Sequence, residues 1–170
     1  TDKQMEEFSE KNIVLIANSK DTLRHLQAML VAFIVSTSYE HYIKALCQTV
    51  GFPYENTYCT KLSIDRYHLT RDEKIKLKTT ANEITKMPII EIPKTAKSLN
   101  DFPERDQKML RRLDEIFWSE ITCTDCGRMF SEVNPVGGNE KAEAIKDIIH
   151  KLNVELSDVM YVGDSITDVE

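Results

Sequence analysis

Residues 31–52 read VAFIVSTSYEHYIKALCQTVGF, and this stretch decides the fold class. It opens with an apolar run rich in valine and isoleucine, the pattern of a strand buried on both faces in a parallel sheet. We therefore expect a strand over 31–36. A helical spacing of apolar positions follows and stops at Gly51, a natural helix terminator. These positions are Tyr39, Tyr42, Ile43, Leu46 and Val50.

The flanking sequence continues the alternation of helix and strand. Upstream, Ser19 offers an N-cap for a helix over about 20–30, whose apolar face is Leu23, Leu26 and Leu30. Downstream, the runs at 56–62 and 158–165 have the composition of strands. Between them lies a helical pattern whose apolar positions are Ala142, Ile145, Ile149 and Leu152. Alternating strands and helices predict an α/β fold with a parallel sheet.

The stretch 63–132 breaks this alternation, because it is highly charged and rich in helix-forming residues. Its apolar stripe of Leu110, Leu113 and Phe117 indicates helices with a small core of their own. We expect a core domain of residues 1–62 and 133–170 with a helical insertion at 63–132. The insertion is either a surface excursion or a cap over the carboxyl ends of the strands, where open α/β sheets bind ligands.

Composition excludes several classes of protein. A formal net charge of −6 and a pI near 5.3 provide no basic surface for nucleic acid or an anionic membrane. The longest apolar stretch, residues 28–35, is far shorter than the roughly 20 residues of a membrane helix. Four cysteines do not make a disulfide scaffold in a chain of 170 residues. We therefore expect a cytoplasmic protein with no nucleic-acid or membrane partner.

Polar residues cluster where the predicted strands end and one predicted helix begins. Ser36 and Thr37 follow the first apolar run, Lys141 lies early in the helix after 137, and Asp164 and Asp168 follow the last run. Each group has a use in phosphoryl transfer. Paired carboxylates hold Mg²⁺, a lysine offsets phosphoryl charge, and a hydroxyl binds phosphate oxygens. Taken singly, the same residues also fit structural purposes: a turn or helix cap for serine and aspartate, a solvated surface for lysine.

The order of these motifs resembles the haloacid dehalogenase-like (HAD) superfamily of hydrolases and phosphatases. FIVSTSYEHYIKAL is similar to its second motif with Ser36 as the hydroxyl, and PVGGNEKAEAI to its third with Lys141. VMYVGDSITDVE is similar to the fourth motif, whose two acidic residues match Asp164 and Asp168. The resemblance spans about 13–60 and 135–170 and is strongest to an uncharacterised archaeal branch.

The resemblance implies a Rossmann-like parallel sheet and a Mg²⁺-dependent phosphatase acting on a small phosphorylated substrate. Ser36, Thr37 and Lys141 would bind phosphate, and Asp164 with Asp168 would hold the metal. The first motif of the superfamily, whose leading aspartate becomes an aspartyl-phosphate, is absent from the chain. Because the chain opens on Thr1, we expect a fragment that folds poorly and is inactive alone. The competing interpretation is a catalytically silent protein of the same fold that binds or assists.

Cys123 and Cys126 have the spacing of metal ligands. A structural zinc would need two further ligands, and Cys47, Cys59 and His68 all lie far along the sequence. Free or packed thiols are the alternative. Trp118 beside Phe117 is expected to anchor the core of the insertion.

Overall fold

The computed structural model describes residues 1–163, and their contacts divide into two compact units. The first unit comprises Thr1–Asp65 and the described chain from Val133 onward; the second unit is Arg66–Glu132. The first contains helices α1 (Asp2–Asn12), α2 (Ser19–Met29), α3 (Glu40–Val50) and α7 (Gly138–Leu152) and strands β1 (Ile34–Tyr39) and β2 (Thr57–Thr60). The second contains α4 (Arg71–Ile84), α5 (Glu104–Glu115), a π-helix (Ile116–Ile121) and α6 (Met129–Glu132).

The predicted parallel sheet is confirmed by the pairing of β1 with β2. Ile34 lies opposite Thr57 and Ser36 opposite Cys59, after which an irregularity shifts the register so that Tyr39 lies opposite Thr60. Helix α3 makes the crossover between the two strands, as parallel pairing requires. The two strands and this helix therefore form one βαβ unit, built from residues 34–60.

The bounds and burial of β1 differ from the prediction. The strand begins at Ile34 rather than 31 because its ladder begins at the Ile34–Thr57 pair, and it runs on to Tyr39. Ser36 therefore lies within the strand and not after it. Its side chains alternate between half-buried and exposed at 36–39, so burial on both faces is wrong: among residues 1–163 the strand has one neighbour, β2.

The last predicted strand is also wrong over its described part. Asp158 ends a short 3-10 helix that begins at Leu156, and residues 159–163 carry no ladder. The side chains of Met160 and Val162 are exposed, so in the described chain these apolar residues do not pack on a sheet. The remainder of the predicted strand lies outside the described residues.

The three helices predicted around the sheet are confirmed to within a residue or two. Helix α3 ends where Gly51 adopts a left-handed φ of 73° and donates its N–H to the carbonyl of Cys47. Glycine takes this conformation without the steric cost that other residues incur. The face of α3 then packs with β2 into the core of the first unit, whose buried members are Ile43, Cys47, Val50, Phe52 and Cys59.

Asp2 fastens the start of α1 to α3 and to the segment after β2. His41, 2% exposed, contacts Asp2 Oδ1 through Nε2 at 2.9 Å. Ile64 N–H donates to the same oxygen at 2.6 Å, and Ser63 Oγ donates to Asp2 Oδ2 at 2.7 Å. Burial alone would raise the pKa of Asp2, but the hydrogen bonds from Ser63, His41 and Ile64 lower this pKa to about 2.

This depressed pKa predicts an acid-sensitive contribution to folding. A carboxyl whose pKa is lower in the folded state stabilises the fold above its unfolded value of 3.8 and loses that effect as the pH falls toward 2. We expect Asp2→Asn to unfold at a lower denaturant concentration than the parent chain at pH 7. As the pH falls below about 4, the variant should lose less stability than the parent chain. Urea titrations followed by circular dichroism across this range measure both effects.

Asp21→Asn is the matched control, because Asp21 is exposed and meets Arg24 at 3.7 Å only. The control should keep the stability and acid dependence of the parent chain. Identical pH profiles for Asp2→Asn and the parent would contradict the assigned Asp2 contacts.

The second unit is held by a charge cluster on Arg112 of α5. Its guanidinium donates two hydrogen bonds, of 2.6 and 2.9 Å, to the carboxylate of Glu83 in α4. Its Nη1 also donates to Glu120 of the π-helix at 2.5 Å. These carboxylates, Glu83 foremost, raise the pKa of Arg112. Trp118 is 64% exposed and packs its ring against Phe130 at 5.5 Å, so it covers the surface of this unit rather than its centre.

Candidate functional site

The hydroxyl side chains of β1 differ in what they bind. Thr37 Oγ1 donates to the carbonyl of Val136 at 2.8 Å, so its proton is committed to the segment before α7. Ser36 Oγ instead accepts a hydrogen bond from Ser38 N–H at 3.2 Å. Because that bond uses a lone pair, the Ser36 proton is available for donation. The geometry therefore favours Ser36 over Thr37 as the hydroxyl that meets a ligand.

Thr60, the last residue of β2, connects both strands to the segment before α7. It is 1% exposed, and its Oγ1 donates to the carbonyl of Thr37 at 2.7 Å. The same oxygen accepts from Val136 N–H at 3.1 Å. One buried hydroxyl thus satisfies a carbonyl of β1 and an amide 76 residues further along.

Thr60 is a site residue that the sequence reasoning missed. The sequence of 56–62 predicts only a strand. A hydroxyl residue at the end of that strand, like Ser36 and Thr37 at the end of the first apolar run, is the sequence feature that points to Thr60.

The start of α7 brings backbone N–H groups and a lysine to the same region. Gly137 is the N-cap, its N–H donates to Glu140 Oε2 at 3.2 Å, and Lys141 closes the first turn by donating its N–H to the Gly137 carbonyl at 2.9 Å. Lys141 is 9% exposed, far more buried than a surface lysine. The first turn of α7 therefore combines a carboxylate at the N-cap N–H with a buried lysine, and a helix start attracts negative charge.

A second set of contacts fixes the far end of α7 to β2. Tyr58 donates its hydroxyl proton to Asp147, and Lys151 Nζ donates to the Tyr58 oxygen at 2.8 Å. Burial and the hydrogen bond to Asp147 raise the pKa of Tyr58, so the phenol stays protonated. Helix α7 is therefore held at both ends by hydroxyl side chains of the sheet.

The structure places three of the predicted site residues on neighbouring segments of the first unit. Ser36 and Thr37 lie in β1, and Lys141 lies in α7, whose N-terminal segment is bonded to Thr37 and Thr60. Asp164 and Asp168 lie outside the described residues. Within 1–163 no group of three or more His, Cys, Asp or Glu side chains is arranged to hold a metal ion.

The junction at Thr60 predicts a stability cost without a change of shape. Thr60→Val keeps the volume but leaves the carbonyl of Thr37 and the N–H of Val136 without their partner at the buried Thr60. We expect the free energy of unfolding to fall by about 1 to 3 kcal/mol. Urea unfolding of both chains measures the difference.

Thr49→Val is the control, because Thr49 is exposed and its hydroxyl bonds only the carbonyl of Ala45 in its own helix. The control should change stability by a few tenths of a kcal/mol at most, about the size of other surface substitutions. Equal losses in the two variants would show that the Thr60 contacts do not hold the site together.

Comparison with known proteins identifies the family of the chain. The sequence model of the haloacid dehalogenase-like hydrolases matches residues 12–170. The chain therefore belongs to the haloacid dehalogenase-like hydrolase family. No curated protein matches the chain.

One solved structure shares the fold. It is that of a gene product from Archaeoglobus fulgidus, 20% identical, with a TM-score of 0.70. The alignment covers 96% of this chain and 44% of that one, so the chain spans less than half the length of this relative. Separately, none of the helices in residues 1–163 has the length and apolarity needed to cross a membrane.

Proposed function

We propose that the protein is a phosphohydrolase that cleaves a small phosphorylated substrate through an aspartyl-phosphate intermediate with the help of Mg²⁺. The observation that carries the proposal is the junction at Thr60, which ties the hydroxyl end of β1 to the start of α7. Membership of the hydrolase family supports the reaction class. A hydroxyl, a helix N-terminus and a lysine together suit a phosphoryl group.

Each of these groups contributes a different interaction in the proposed reaction. Ser36 donates its hydroxyl proton to a phosphate oxygen, while Thr37 holds the segment before α7 in place through Val136. Lys141 balances the negative charge that grows on the phosphoryl group as the bond to the leaving group breaks. The first-turn N–H groups of α7 add a favourable field for the same charge.

The covalent steps need a nucleophile that we do not assign to any residue of this chain. In the proposed sequence an aspartate carboxylate attacks phosphorus and the substrate oxygen leaves with the bonding electrons. Water then attacks the acyl-phosphate, which returns the carboxylate and releases inorganic phosphate.

We propose Asp164 and Asp168 as the residues that hold Mg²⁺, on the basis of their match to the fourth motif of the family. Carboxylate oxygens are the ligands this ion prefers, and its charge would offset that of the phosphate. The proposed setting is the cytoplasm, and all four cysteines are free thiols in the structure.

A catalytically silent protein of the same fold is the second candidate. It rests on the same groups, the Ser36 hydroxyl and the start of α7, which can bind phosphate without a nucleophile. Such a protein would bind phosphate at Ser36 and Lys141 without turnover. Measuring phosphate binding and hydrolysis of an aryl phosphate on the same sample separates the two candidates.

The different contacts of Ser36 and Thr37 predict unequal effects of alanine substitution. In a chain that carries the nucleophile, Ser36→Ala should lower kcat/KM by about 1.5 to 3 kcal/mol of transition-state stabilisation, the value of a hydrogen bond to a charged group. Thr37→Ala should lower it less, because Thr37 acts through Val136. Steady-state hydrolysis of an aryl phosphate with excess Mg²⁺ measures both.

Melting temperatures of the two variants serve as the control for folding. Thr37→Ala should melt lower than Ser36→Ala, since it removes the bond to Val136. A larger loss of turnover in Thr37→Ala than in Ser36→Ala would assign phosphate binding to Thr37 instead of Ser36.

A further inference from the structure

Two of the four cysteines lie near the surface of the second unit, in the loop between the π-helix and α6. Cys123 is exposed and Cys126 is partly buried, and both are free. The other two, Cys47 and Cys59, are 2% and 4% exposed in the core of the first unit. The chain therefore contains one accessible pair of thiols, at the Cys-x-x-Cys spacing, and one inaccessible pair.

Two successive turns hold the accessible pair. Thr124 N–H donates to the carbonyl of Ile121 at 2.9 Å, and Gly127 N–H donates to the carbonyl of Thr124 at 3.0 Å. The loop folds back so closely that a Cβ on Gly127 would come within 2.1 Å of the Ile121 oxygen. Glycine at 127 is therefore required, and the cysteines on either side of Thr124 and Asp125 are kept in consecutive turns.

The hydroxyl of Thr124 makes the two thiols chemically different. Thr124 is 7% exposed, and its Oγ1 donates to the carbonyl of Ile121 at 2.6 Å. Its single proton is therefore committed, so the contact of 3.0 Å with Cys126 Sγ is a bond from the thiol to the hydroxyl oxygen. Cys126 Sγ is therefore engaged by Thr124, whereas Cys123 is exposed.

From this asymmetry we propose that Cys123 and Cys126 form a thiol–disulfide exchange site whose oxidant is a low-molecular-weight disulfide. The Cys123 thiolate attacks one sulfur of that disulfide, which forms a mixed disulfide and releases one thiolate. Cys126 gives up its proton and attacks Cys123 Sγ, which releases the second thiolate and leaves the Cys123–Cys126 bond. Two protein thiols are oxidised and one small disulfide is reduced.

A metal site is a poorer account of the same pair. A structural zinc takes four protein ligands, and the described chain offers no group of three or more suitable side chains. From the protein, the exchange reaction needs only two thiols, of which the first must be accessible to the small disulfide.

The experiment treats the full 170-residue chain with oxidised glutathione at neutral pH and identifies products by peptide mass spectrometry. The peptide that contains both Cys123 and Cys126 should lose two hydrogen atoms, while Cys47 and Cys59 stay reduced until the chain is unfolded. These buried thiols serve as the internal control, since their protection shows that the fold is intact. The wild-type chain alone is sufficient for this measurement.

Two variants test the order of attack. Cys126→Ser should stop at a stable glutathione adduct on Cys123, because the second attack is lost. Cys123→Ser should react more slowly, because only the partly buried thiol remains. A wild-type product that keeps glutathione on both cysteines, oxidation of all four thiols at equal rates, or faster reaction of Cys123→Ser than of Cys126→Ser would overturn the proposal.

Discussion

The architecture of the candidate site depends on one buried hydroxyl. Thr60 Oγ1 is the atom through which the carbonyl of Thr37 and the N–H of Val136 are both satisfied. Backbone groups that lose their partner away from water destabilise the fold. The positions of β1, β2 and the segment before α7 therefore constrain one another. The start of α7 cannot leave the sheet without exposing or orphaning groups that the strands also need.

This constraint explains how a short parallel ladder would position the proposed phosphate site. The register shift falls after Ser36, where the hydroxyl residues of β1 lie, and Thr37 Oγ1 donates to the carbonyl of Val136. Helix α7 is fixed at its other end by Tyr58 and Lys151. Contacts at both ends of α7 fix its N-terminus beside the two strands, where the proposed anion site at the helix start would lie.

Local patterns predicted much of the fold, and pairing partners determined the rest. Helix α3 and its end at Gly51 follow from apolar spacing and a left-handed glycine, both of which are readable within a dozen residues. The limits of β1 depend on where β2 pairs with it, and Thr60 acts on Val136 across 76 residues. No local pattern shows which segment a residue pairs with, so the apolar run alone predicts too early a start for the strand and does not identify Val136 as the partner of Thr60. Ser36 and Lys141 stand out in the sequence at a strand end and a helix start, and the order of motifs, which resembles a family, relates them although they lie far apart in the chain.

The central claim is that Ser36–Ser38 and the first turn of α7 form one phosphate-binding site. Backbone amide NMR during titration with inorganic phosphate tests it most directly, because it requires neither turnover nor a known substrate. We expect saturable shifts confined to residues 36–38 and 137–141, and their loss in Ser36→Ala. Shifts spread evenly over the lysine-bearing surface, or confined to the second unit, would contradict the account.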